Sequence, residues 1–83
     1  MEYNYRGLKI TSNINHEHGT PYYTILKEDK KNNKCAHAHA TSLKMAEKIV
    51  DCYVNIQRYG NGAKYTRWIR NNALRLMEFK VKY

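Results

Sequence analysis

The sequence predicts an α+β fold: a three-stranded antiparallel sheet packed by one helix and followed by a second, C-terminal helix. Three observations predict it. Residues 5 to 40 divide into three runs of strand character separated by polar, turn-forming stretches. From residue 43 the apolar spacing changes to steps of three and four. The chain has 83 residues, one proline and four glycines, which suits one small domain over 1–83 with no internal linker. Within it, 5–59 forms the sheet-and-helix unit and 63–80 the added helix.

The first run, "YRGLKITSNI", alternates, with Leu8 and Ile10 on one side and Lys9 and Thr11 on the other. "NHEHGTP" follows as a turn, broken by Gly19 and Pro21. "YYTILKE" is dense in β-branched and aromatic residues and reads as the second strand. "DKKNNK" reverses the chain into the third, "CAHAHA", completing a meander. Thr41 or Ser42 then caps a helix whose apolar positions are Leu43, Ala46, Ile49, Val50, Tyr53 and Ile56, ending near Tyr59 before "GNG". The second helix is expected from Lys64 to about Phe79, with Tyr65, Trp68, Ile69, Ala73, Leu76 and Phe79 as its apolar stripe. The tail "KVKY" is either frayed or a short added strand.

Side-chain alternation puts Ala36, Ala38 and Ala40 on one face of the third strand and Cys35, His37 and His39 on the other. Alanines let a helix approach closely, so the alanine face is the expected buried one and the imidazole face the open one. The second strand gives that open face either Tyr23, Ile25 and Lys27 or Tyr22, Thr24 and Leu26. The first choice is preferred, because it leaves Leu26 for the core. The expected recognition face is then cationic and free of carboxylates, with Lys30, Lys31 and Lys34 at its rim.

Fifteen lysines and arginines against seven acids give a net charge of +8, which points to a polyanion or an acidic protein surface as partner. The eight tyrosines suit recognition surfaces as well as cores. No apolar run is long enough to cross a bilayer and the start lacks a secretory pattern, so the expected location is cytoplasmic, with no membrane partner. That compartment argues against a disulfide between Cys35 and Cys52. Ligands at alternate positions of one straight strand converge poorly on zinc, so no metal is expected at Cys35, His37 and His39, even with His16 or His18 near them. There is no phosphate loop, glycine fingerprint or paired-carboxylate signature, and Cys35 with His37 lacks an orienting third group. The chain is therefore expected not to be an enzyme, and to have no cofactor and no small-molecule substrate.

"YRGL", "YYTILKED", "TSLKMAEKIVDCY" and "RYGNGAKY" together resemble AP2-type DNA-binding domains, and the order of elements is similar to that of the three-stranded arm-binding domains of integrases. The resemblance covers roughly residues 5 to 62. It implies double-stranded DNA read by the open sheet face, with contacts at Arg6, Lys9, Lys27 and Thr11, where the family usually has arginine. The family's Leu-Gly-x-Phe is replaced here by "AHAHA". Added to those positions by the residue reading, Tyr23, Lys34, His37 and His39 complete the expected nucleic-acid-binding set. Two roles fit: a DNA-binding module of a mobile element, or a phage-type inhibitor that docks its basic surface on a host protein.

Overall fold

The computed structural model describes residues 2–14, 21–60 and 64–81. They form β1 (Glu2–Tyr5), β2 (Leu8–Ile14), β3 (Pro21–Asp29), β4 (Lys34–Ala40), α1 (Leu43–Tyr59), α2 (Arg67–Arg75) and β5 (Lys80–Val81). The fold is α+β with two helices, as expected, but the sheet has five strands rather than three. All neighbours are antiparallel, in the order β1-β2-β3-β4-β5. The expected three strands are its centre.

Both added strands have local causes. Arg6 and Gly7 lie at φ 49° and 90°, so two consecutive residues with positive φ close a tight hairpin between Tyr5 and Leu8. That is the turn chemistry which matches strand twist, and Gly7 adopts it without strain. Ahead of it, Tyr3 and Tyr5 alternate with Glu2 and Asn4, and the two tyrosines pack against the core. At the other end Lys80 and Val81 pair with Cys35 and Lys34, so the tail's added-strand alternative is the one adopted by the described residues.

The β3–β4 turn sets the register. The Asp29 carboxylate accepts from the Asn32 backbone N–H at 3.2 Å and from its side-chain amide at 2.7 Å. These bonds hold the Asp29 carboxyl below its usual range. Asn33 turns through the left-handed region at φ 53°, which asparagine tolerates well. With Asp29 opposite Lys34, the ladder places Tyr23 opposite Ala40, Ile25 opposite Ala38 and Lys27 opposite Ala36. Residues directly opposite in an antiparallel pair share a face. Tyr23, Ile25 and Lys27 therefore lie on the alanine side, and Leu26 on the other. This reverses the sequence preference. Either parity offers the core one aliphatic residue from β3, so hydrophobicity could not decide; the turn did.

The alanine side is dry. Ala36, Ala38 and Ala40 are 3%, 0% and 2% exposed, and Ala38 and Ala40 join one core cluster with Ala46, Ile49, Val50, Cys52 and Tyr53 of α1 and with Leu8, Ile10 and Ile25. Ser42 caps α1, its Oγ accepting from the Met45 N–H at 3.1 Å. Gly60 ends the helix in the left-handed conformation, its N–H donating to the Ile56 carbonyl. Lys27 fits this side by laying its stem along the core edge, with its ammonium 4.4 Å from the Tyr53 ring centroid and 5.3 Å from that of Phe79. Burial pulls its pKa below the usual lysine value.

Helix α2 is shorter than its apolar stripe suggests. Thr66 caps it by accepting from the Ile69 N–H, and after Arg75 the chain tightens into a turn that leads to β5. Ile69, Ala73 and Leu76 complete the core beside α1 and β4, whereas Trp68 stays 44% exposed. Both cysteines are free thiols: Cys52 lies on the buried face of α1, which pushes its thiol up, and Cys35 lies across the sheet.

Candidate nucleic-acid interface

The ladder lays out the open side as a grid. Glu2, Thr11, Thr24 and His39 form one row across β1 to β4, and Asn4, Lys9, Leu26 and His37 the next. Glu28, Cys35 and Lys80 make a third, closer to the β3–β4 turn. Tyr22 stands beyond His39 on the same face by alternation.

Of the expected site residues, Lys9, Thr11, His37 and His39 share this face. Tyr23 and Lys27 do not, being on the helix side. Arg6 is also turned to that side: its Nη1 donates to Asp51 Oδ1 of α1 at 2.8 Å, and the Tyr5 hydroxyl donates to the same oxygen at 3.0 Å. The bond to Asp51 raises the Arg6 pKa further. Lys34 sits exposed at the start of β4, in phase with the alanines. The resemblance-derived contacts are thus divided between two faces.

The face also carries carboxylates, contrary to expectation. Glu2 lies 3.6 Å from the Lys9 ammonium, and Glu28 is opposite Cys35. Lys9 and Lys80 against Glu2 and Glu28 leave the grid formally neutral. The expected parity puts Glu28 on the far side, and Glu2 arrives with β1, a strand the expected sheet lacks.

A row of rings distinguishes the β4 side of the grid. Tyr22 and His39 meet edge to face at 6.3 Å between centroids, and His39 and His37 likewise at 5.5 Å. Thr24 Oγ1 and His39 Nδ1 share a 3.3 Å hydrogen bond. Desolvation lowers the His39 pKa, and the nearby His37 and Arg75 lower it further. His39 is thus held as the neutral imidazole at neutral pH.

Two hollows flank this row. One is lined by Tyr22, His39, Ala40, Thr41 and Trp68. The other is lined by Cys35, Ala36 and His37 of β4 with Arg75, Glu78 and Lys80. Tyr22, Trp68, Arg75 and Lys80 were absent from the expected set. The expected apolar stripe includes Trp68 with Ile69, and its spacing gives no sign that the indole stays at the surface. Tyr22 followed from the parity, and Arg75 and Lys80 from where the second helix packs, which no local pattern encodes.

Among the described residues, no three His, Cys, Asp or Glu side chains converge as metal ligands, and His16 and His18 lie outside them. No described helix is long and apolar enough to cross a membrane. No family model, curated protein or solved structure matches the chain.

Proposed function

We propose that the protein binds nucleic acid, through the open side of its sheet and the edge where β4 meets α2. The observation that carries this reading is the run of touching rings, Tyr22, His39 and His37, on a face that no described helix covers, in a chain of net charge +8. Aromatic and imidazole rings offer planes and hydrogen-bonding edges to bases, while Arg75 and Lys80 beside them offer cations to phosphates. The expected duplex mode, with the sheet lying in the major groove, is less well supported. Four strands spaced about 4.8 Å apart span roughly 14 Å before side chains are added, against a groove about 12 Å wide. Lys9, moreover, has its charge offset by Glu2.

Fluorescence anisotropy with labelled single-stranded and duplex oligonucleotides over a salt series tests the reading. Binding at low salt is expected, with log K falling linearly in log salt concentration. Absence of binding to every oligonucleotide at low salt would overturn it. A second reading, docking on a host protein, is favoured by one observation: Leu26 lies mid-face between Lys9 and His37, within balanced Lys and Glu charges. An apolar centre with a mixed polar rim suits a protein interface. Capture of a stable protein complex from host lysate that survives nuclease treatment favours this second reading over the first.

A further inference from the structure

We infer that the hollow between Tyr22 and Trp68 receives an unstacked base of a single-stranded nucleic acid, with the neighbouring hollow at Arg75 and Lys80 taking the adjoining phosphate. This deepens the proposed function and rests on it.

The argument starts from the placement of the one tryptophan. Trp68 occupies the second position of α2, directly before Ile69, whose side chain is in the core. Ile69 is buried, and the indole beside it is left 44% exposed. It is nevertheless not loose on the surface. It forms one wall of a groove whose other residues are Tyr22, His39, Ala40 and Thr41. Ala40 and Thr41 contribute little side chain, so the groove is bounded by three rings with space among them. Aromatic surfaces arranged in this way accept a flat heterocycle, and every base has such a plane.

The second hollow gives the direction of the strand. It adjoins the first through β4, where His37 and His39 occupy alternate positions about 6.6 Å apart. Arg75 acts at both places: it lines the second hollow, and its charge is felt by His39 in the first. Lys80 adds a second cation, offset in part by Glu78 in the same lining. The site therefore presents rings first and cations next, along one strand edge. A duplex keeps its bases stacked within the helix and cannot fill a groove walled by an indole and a phenol, whereas a single strand can.

Trp68 is the sole tryptophan, so its fluorescence reports directly on the groove. The probes are a short oligothymidylate and a mixed-sequence duplex, each titrated into the intact protein at low salt. Saturable quenching by the single strand is expected, with affinity above that for the duplex. Trp68→Ala is expected to weaken single-strand affinity, followed by anisotropy, about fivefold to a hundredfold, the range that stacking on one aromatic residue contributes, and Trp68→Phe to restore most of it. Arg75→Gln should make the salt dependence shallower, by about 0.7 in the log–log slope for one phosphate contact on a single strand. Tyr22→Ala supplies an independent arm that keeps the indole reporter, should Trp68→Ala fail to fold by circular dichroism. Tighter duplex binding with Trp68→Ala and Tyr22→Ala both without effect overturns this inference and leaves the nucleic-acid reading standing. Failure to bind either probe overturns both.

Discussion

Truncating Ile25 and Leu26 in turn tests the sheet's register with two neighbouring residues. Ile25 is fully buried, opposite Ile10 and Ala38, whereas Leu26 is half-buried on the open side, opposite Lys9 and His37. Ile25→Ala removes core volume from beneath α1 and leaves a cavity, at a cost of about 2–5 kcal/mol. A chain of 83 residues is expected to have about 4–12 kcal/mol of total stability at typical per-residue values. The substitution thus takes a large fraction of it. Leu26→Ala opens no cavity and gives up only part of the roughly 1.5–3 kcal/mol that full burial of such a side chain provides, so about 1 kcal/mol or less is expected. For a domain of this size each 1 kcal/mol moves Tm by about 4–8 °C. Thermal and urea denaturation followed by far-ultraviolet circular dichroism should therefore show Ile25→Ala about 10 °C or more below the parent and Leu26→Ala within several degrees of it. Equal losses for the two variants would refute the register, and with it the assignment of every β3 side chain to a face.

The same geometry makes other substitutions informative. Lys27→Met keeps the stem that lies along Tyr53 and removes an ammonium whose charged form burial disfavours. It should leave stability unchanged or raise it by up to about 1 kcal/mol in urea melts, and leave oligonucleotide affinity unaltered; a large affinity loss would put Lys27 back on the recognition face. The His39 pKa is lowered on folding, so the unfolded chain binds more protons as pH falls through the unfolded histidine value of about 6.5. Stability is expected to fall as pH drops through that value and to level off once pH is below the lowered folded pKa. His39→Asn should flatten that slope in urea midpoints measured across the range. Asp51→Ala deprives Arg6 and the Tyr5 hydroxyl of their shared acceptor. A loss of about 1–2 kcal/mol by denaturant titration is expected, with nucleic-acid affinity not reduced, since freeing a cation cannot weaken binding to an anion.

Periodicity was enough to read the alternation in "CAHAHA", the capped helix after it and the face shared by Lys9 and Thr11, because each is set by residues within a few positions of one another. The β1–β2 hairpin was nearly legible: "EYNY" alternates and Gly7 marks a turn, but four residues ahead of an arginine in the left-handed conformation make a faint signal. The parity of β3 was not legible. Ile25 and Leu26 are adjacent and similarly apolar, so the choice fell to the hydrogen bonds of Asp29 and the left-handed Asn33 in the turn. That one choice moved Tyr23 and Lys27 to the helix side and brought Tyr22 and Glu28 into the open.

By itself, then, the sequence determined that a pleated sheet would present alanines to an amphipathic helix and imidazoles to the opposite side, since alternation and hydrophobicity act locally. Tertiary structure alone decided what surrounds those imidazoles. The indole of Trp68, Arg75 and Lys80 come to β4 only when α2 packs beside α1 and the tail pairs with the strand edge. Their positions follow from how buried surfaces fit together over long separations in the chain, and no spacing along the chain records that fit.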